Sequence, residues 1–449
     1  MTVQLPPDDD QRDVIAFLSD PASYGLDPPQ AVVRVDAHCS IVFLAGGFAY
    51  KLKRAIRYAA LDYTTRESRR TACEAELVLN RRTAPELYLA VRSISRDPAG
   101  RLAFDAPGPP LDHVVVMHRF DQAALFDRMA SAGTLTPALM IALGRAVARL
   151  HRAAEPTPQF GGFQELASVI AQNERELARV APALDGARVS SLGEASHAAL
   201  RRCTPLLEAR RLGNKVRRCH GDLRLANIVL FHDEPTLFDC IEFSDRINCI
   251  DVLFDLAFLL MDLLLLDRGD LANAVFNAYL DEQPETDGLQ LLPLFLALRA
   301  ATRSYALAGA VRRRTDPVEQ GRLAGQARRH IAAGIRFLAP EPPRLILLGG
   351  SCGAFARALA AATPPAPGAR LLRYEPGLDT ACATIEAGCS VVVMGVPAEE
   401  AVRDRAPVPP LAIWCGPTPP APDLGDWQWA GTAEREAALL ALAAKSGSD

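Results

Sequence analysis

The sequence predicts an α/β chain in two parts: a larger α+β domain with a strand-rich and a helix-rich lobe, then a smaller α/β domain with a parallel sheet. Three observations predict it. Apolar residues alternate with period two in short runs between Val32 and Phe120. From Thr136 to Leu338 the period is helical. At Ala339-Pro340-Glu341-Pro342-Pro343 the composition shifts, and a new apolar strand follows. The expected boundaries are a 1–30 segment, a strand lobe over 31–118, a helical lobe over 119–338 and a second domain over 344–449.

In chain order, Arg12 to Leu18 reads as one short helix before Pro and Gly punctuation. Val32 to Val35, Ile41 to Leu44 and Phe48 to Lys53 read as a meander, with a first turn over Asp36 to Ser40 and a second at Ala45-Gly46-Gly47. Lys51 and Lys53, two apart on the third strand, point to one face. Thr64 or Thr65 caps a helix that runs to about Thr83, before Pro85. Glu76 sits on the margin of its apolar stripe, with Glu74 as competitor for the same role. Leu87 to Ser95 and Leu111 to Phe120 are two further strands.

Thr136-Pro137 supplies an N-cap and a first-turn proline, and Leu139, Leu143, Val147 and Leu150 form one buried face of a helix ending at His151. That histidine is expected to be structural and bonded to backbone. Asn173 to Val180, Glu194 to Leu212, Leu289 to Ala310 and Gln320 to Leu338 complete the helices. Between them, Ile247 to Leu266 is the most apolar run, but Asp251, Asp255 and Asp262 interrupt it, so it reads as a buried helix and not a membrane span.

The second domain opens with Arg344 to Leu348, the glycine turn Gly349-Gly350-Ser351-Cys352-Gly353 and an Ala-rich helix to Ala360. Strand, glycine turn and helix have P-loop geometry, yet the Lys and the Ser or Thr that would meet phosphate and magnesium are missing. Gly388 to Met394 and Leu411 to Cys415 are further core strands, the first ending in Met394 where an acid is expected. The loop therefore reads as degenerate.

The chemistry concentrates in Cys219-His220-Gly221-Asp222-Leu223-Arg224-Leu225-Ala226-Asn227, followed by a hairpin ending in Leu237-Phe238-Asp239. Counting back from a four-residue turn, His232-Asp233-Glu234-Pro235, sets Asp239 opposite Ile228 and beside Asn227. An Asp five residues before an Asn, with a second Asp returned to the same place, suits magnesium-assisted phosphoryl transfer. Asp222 can take a hydroxyl proton, while Asn227 and Asp239 supply hard oxygen ligands to magnesium.

This pattern resembles the aminoglycoside-phosphotransferase-like family of the protein-kinase-like fold, in which His-Gly-Asp stands where protein kinases have His-Arg-Asp. With the degenerate second domain, the whole is similar to a two-domain bacterial form carrying a C-terminal P-loop ATP-binding domain. The resemblance implies ATP and Mg as cofactors and a small-molecule hydroxyl as acceptor. It implies that Lys51, with Lys53 as alternate, meets the nucleotide phosphates and that Glu76 holds the lysine. The turn ending at Ser40 would cover the phosphates, and backbone around Met117 to Phe120 would meet adenine. Asp255 matches the aspartate that braces the catalytic loop, Asp251 does the same or caps the helix, and Glu242 and Asp245, nearer the cleft, suit a cationic or polyhydroxy substrate but read first as solvated loop acids.

Net charge is −4 with no basic run, which argues against a nucleic-acid partner. Ten scattered cysteines without CxxC pairs, and a start at Pro6-Pro7-Asp8-Asp9-Asp10 unlike a signal peptide, fit a cytoplasmic protein of reduced thiols. Two other functions compete: a non-catalytic nucleotide-binding or regulatory module, and a kinase acting on a protein hydroxyl.

Overall fold

The computed structural model describes residues 11–26, 31–58, 61–180, 184–312, 314–339, 341–350, 353–397, 400–403, 405–415, 420 and 427–445. The start at Pro6–Asp10 and the Ser351-Cys352 part of the glycine turn lie outside them. By contacts the chain divides into two compact units, one of 1–132 with 220–248, the other of 133–219 with 249–449.

In the first unit the period-two runs become a six-stranded antiparallel sheet. Its strands are β1 (Val33–Asp36), β2 (Ser40–Ala45), β3 (Phe48–Lys53), β4 (Tyr88–Arg96), β5 (Leu102–Phe104) and β6 (Pro110–His118), in the order β1-β2-β3-β6-β4-β5. Each face has its own cover, because alternate residues of β3 and β6 point opposite ways. One face packs Phe43, Tyr50, Leu52, Ile94 and Val114 on Val14 and Leu18 of α1 (Arg12–Ser19). On the other, Leu44, Val115 and Met117 pack with Cys73 of α2 (Arg66–Asn80). The expected cap holds: the Thr65 side chain accepts from the Ser68 amide at 3.1 Å.

A short α3 (Phe126–Ala132) follows the sheet. The unit is completed by the hairpin β7 (Ile228–Phe231) and β8 (Glu234–Leu237). Its turn has two residues, not the four expected, since Phe231 pairs with Glu234 and Ile228 with Leu237. His232 and Asp233 both take positive φ, 49° and 62°, which is the two-residue turn that suits the strand twist. Pro235 sits within β8 opposite Leu230, tolerated because a two-stranded ribbon has only edges.

In the second unit the helical run gives α4 (Pro137–Ala153), α5 (Gly162–Arg179), α6 (Gly186–Leu212), α7 (Val252–Leu265), α8 (Gly269–Glu282), α9 (Leu292–Val311) and α10 (Pro317–Leu338). α5 and α6 begin earlier than their apolar pattern suggests, and α8 has no counterpart in the sequence reading. α7 buries nearly every side chain, capped by Asp251 through the Leu253 amide at 2.8 Å. No helix among the described residues is long and apolar enough to cross a membrane.

Beyond them lies a five-stranded parallel sheet of β9 (Leu345–Gly349), β10 (Arg370–Arg373), β11 (Val391–Met394), β12 (Pro410–Trp414) and β13 (Gln428–Trp429), ordered β10-β11-β9-β12-β13. Helices α11 (Gly353–Ala362) and α13 (Ala433–Ala444) cover one face, α12 (Tyr374–Glu386) the other. Burial on both faces explains its unbroken apolar strands. A cavity of about 550 Å³ opens where β9, β10 and β11 end, lined among the described residues by Gly350, Arg373, Glu375 and Met394.

Candidate active site

The site is built within the first unit, from one strand, one helix and the loop-hairpin segment. Strand alternation sends the side chains of Lys51 and Lys53 to one face, and both reach Glu76 of α2. Lys51 Nζ lies 2.8 Å from Glu76 Oε1, and Lys53 Nζ is ion-paired with Oε2. Glu76 is fully buried, and the Tyr88 hydroxyl lies 3.4 Å from Oε1. Burial pushes the Glu76 carboxyl up, but the two ammonium groups outweigh it and hold it below the usual range. The competitor, Glu74, faces solvent and pairs with Arg70 at 2.9 Å, one helical turn away.

Lys51 has a second acid partner, Asp239, at the end of the hairpin. The corrected turn shifts the register by two residues, an even number, so the side chain of Asp239 keeps the face expected of it. Its neighbour Phe238 donates its amide to Asn227 O at 3.0 Å, which sets Asp239 beside the asparagine. Asp239 has φ 61°, a left-handed conformation uncommon outside glycine and asparagine. Its amide donates to the Tyr88 hydroxyl at 3.2 Å. The next amide, of Cys240, donates to Asn80 Oδ1 at 2.8 Å. Desolvation raises the Asp239 carboxyl, and Lys51 more than reverses it, leaving it below the ordinary range.

Asp222 follows a glycine with φ 85°, where an added Cβ would come within 3.2 Å of Asn248 and Ile241. His220 bonds Phe238 O through Nε2 at 2.9 Å and accepts the Asp222 amide at Nδ1 at 3.4 Å, so the protonated nitrogen is Nε2. Asn227 Nδ2 donates to Asp222 Oδ2 at 2.8 Å and to its carbonyl at 2.9 Å. That leaves the Asn227 amide oxygen as the end available to a cation. Arg224 closes a fork on Asp222, with Nε to Oδ1 at 2.7 Å and Nη2 to Oδ2 at 3.1 Å. Desolvation raises the Asp222 carboxyl, and Arg224 leads the groups that bring it below its ordinary value.

Several expectations change here. Ser40 does not lie in the first turn; it is a buried residue of β2 paired with Lys53, because its carbonyl accepts the Ala37 amide and closes the turn before it. Lys53 is engaged by Glu76 and by Glu242, with 3% of its side chain exposed. Glu242 is therefore no solvated loop acid: 6% of its side chain is exposed. Around the expected adenine contact, the amides of His118 and Arg119 already donate to Leu87 O and Gly47 O. Arg224 and Tyr88 were not singled out from the sequence. For Arg224 the signal was its place two residues after Asp222; Tyr88 carried none, since an aromatic in a strand reads as core.

In the second unit, His151 is bonded not to backbone but to side chains, Tyr279 Oη at 2.9 Å through Nδ1 and Asp255 Oδ2 at 3.1 Å through Nε2. With both ring nitrogens taken and Cys219 Sγ turned to Ile250 O at 3.5 Å, this buried trio is a polar brace and not a metal centre.

The donors near Asp239 fit magnesium. Carboxylate and amide oxygens are the hard ligands it prefers, and the Lys51 ammonium already rests against the Asp239 carboxylate, a positive charge where a cation would sit.

The family model described as phosphotransferase enzyme family matches residues 75–292. An uncharacterized protein of Mycobacterium tuberculosis (strain H37Rv) is 30% identical over 362 residues, spanning 78% of this chain and 68% of that protein. One from Mycobacterium bovis matches to the same extent. Among solved structures, a choline/ethanolamine kinase family protein from Mesorhizobium loti is 16% identical with a TM-score of 0.40, over 68% of this chain and 92% of that one. Amicoumacin kinase hAmiN, in complex with AMP-PNP, Ca2+ and Ami, is 14% identical with a TM-score of 0.41, over 67% and 88%.

Proposed function

This chain belongs to the phosphotransferase enzyme family, and from that premise we propose that it is an ATP- and magnesium-dependent kinase that phosphorylates a hydroxyl of a small molecule. The observation that carries the reading is the Lys51 ammonium shared between buried Glu76 and Asp239, with Asp222 and Asn227 on the loop that feeds the same hairpin.

Each residue has one task in this reading. Lys51, oriented by Glu76, exchanges the Asp239 carboxylate for the nucleotide phosphates when nucleotide binds. Asp239 and the Asn227 oxygen would hold magnesium, which would neutralise charge on the phosphates. Asp222 accepts the proton of the acceptor hydroxyl as its oxygen bonds the terminal phosphorus and the bond to the departing nucleoside diphosphate breaks. Arg224 keeps that carboxylate ionised and aimed. The C-terminal sheet is read as a non-hydrolysing companion, since the described residues lining its cavity include no lysine and β11 ends on Met394.

The test is a γ-phosphate transfer screen over aminoglycosides, sugars, nucleosides and amino alcohols, repeated with Asp222→Asn. The expected loss of turnover is on the order of a hundred- to ten-thousand-fold, with little change in nucleotide affinity. A variant with near-native turnover would remove Asp222 from the role of base.

A further inference from the structure

One buried lysine is enough to answer Glu76, yet the site holds two. Lys53 is 2% exposed and bound to two carboxylates, Glu76 Oε2 and Glu242 Oε1. Glu242 also accepts the Tyr63 hydroxyl, and the Tyr63 ring faces the Lys53 ammonium at 5.4 Å from its centroid. Buried ion pairs of this kind are costly to desolvate, and apolar side chains of the same size often serve stability as well. Their presence beside the site calls for another reason.

That reason lies in where Glu242 is attached. It stands three residues after Asp239, and the chain between them is pinned on both sides. Cys240 donates its amide to Asn80, Ile241 donates to His220 O at 3.0 Å, and Ile241 O accepts from Asn248 Nδ2 at 2.7 Å. Asp239 holds one end through Lys51 and Tyr88; Glu242 holds the other through Lys53 and Tyr63. Both lysines then meet on the two oxygens of one glutamate, so the helix, the strand and the segment behind the metal-binding aspartate share a single charge network.

Resting on the reading of Lys51, Glu76 and Asp239 given above, we infer that Lys53, Glu242 and Tyr63 are positioning residues that hold Asp239 and the Lys51–Glu76 pair in register for magnesium nucleotide. Switchable kinases order the corresponding segment by phosphorylation or by helix movement. Here the internal carboxylate of Glu242 occupies the role of that added anion. Lys53 differs from Lys51 in its burial, 3% of its side chain being exposed against 12%, and in its second acid, Glu242 in place of Asp239.

The full-length chain is titrated with a non-hydrolysable ATP analogue over a range of magnesium concentrations, and its thermal midpoint is measured alongside. Glu242→Gln should raise the magnesium needed for half-saturation about tenfold or more, the scale on which partners of metal-holding groups act. It should also lower the midpoint, because Lys53 loses an anion. The double variant Lys53→Met with Glu242→Gln removes both charges and should recover the midpoint while the magnesium requirement stays raised. A double variant with the wild-type requirement overturns the inference and makes the cluster structural only. Should it not fold, Tyr63→Phe, which keeps the ring and both charges, replaces it: a raised requirement supports the inference and an unchanged one overturns it. A wild-type chain that binds no magnesium nucleotide overturns the proposed function itself.

Discussion

At the scale of the residue, Asp222 shows how a half-buried acid is kept ready as a base. Taken out of water alone it would hold its proton more tightly; the two-pronged contact from Arg224 and the amide of Asn227 reverse that. Its folded pKa is lowered, so the carboxylate persists at neutral pH and is lost only as pH falls through a value below the ordinary carboxylate range of about 4. The rate of phosphoryl transfer should accordingly show no acid limb from this group between about pH 5 and 8. A pH profile of kcat/KM with such a limb, abolished by Asp222→Asn, would contradict it. The same sign governs stability. Glu76 and Asp239, also lowered, contribute fully above the carboxylate range and lose that contribution as pH drops below it.

At the scale of the element, the hairpin β7–β8 and its exit decide where the metal ligand stands. Asp239 occupies left-handed backbone, which costs an ordinary L-residue roughly 1–2 kcal/mol but Asn much less. Asp239→Asn should therefore keep its backbone and its amide bond to Tyr88 and lose only the charge contact with Lys51, while Asp239→Ala should melt lower still. Both should weaken magnesium-dependent nucleotide binding, because the anionic oxygen is gone. Titration of the two variants separates backbone from charge; undiminished magnesium dependence in Asp239→Asn would show that Asp239 is no ligand. α2 belongs to the same account. Its last turn supplies Asn80, which bonds Glu76 O at 2.8 Å and receives the Cys240 amide, so the helix that presents the glutamate also fixes the residue after Asp239.

At the scale of the whole molecule, the second unit joins the helical run to the parallel sheet through polar contacts as well as apolar ones. Asn277 of α8 accepts the Leu371 amide at 2.8 Å and the Arg370 guanidinium at 2.9 Å, and Arg370 reaches Asp281 at 2.5 Å. Asn273, buried beside it, donates to Ala369 O at 3.0 Å. Asn277→Ala would leave the Leu371 amide and the guanidinium without this acceptor, a cost on the order of 1–3 kcal/mol. Urea unfolding checks it, and an unchanged midpoint would mean the seam adds nothing. A chain cut near Pro340 would lose the whole seam, so it is expected to be less stable than the full chain.

What the sequence determined by itself was everything written in local pattern. The alternation of β2 and β3, the Thr65 and Thr136–Pro137 helix starts, and the Asp222-to-Asn227 spacing with Asp239 returned by a hairpin all depend on neighbours a few residues away. Lys51 and Glu76 were readable for the same reason, since strand and helix periods fix which way each side chain points. The tertiary structure decided what depends on partners far along the chain. Lys53 and Glu242 are 189 positions apart, and no period in either stretch says that one buried charge answers the other. Tyr88 became polar because Asp239 arrives at its hydroxyl, and His151 found side chains instead of backbone because α7 and α8 bring Asp255 and Tyr279 to it. Desolvation is the common cause: a charge or hydroxyl removed from water must find its partner wherever the fold supplies one, and that choice is made in three dimensions.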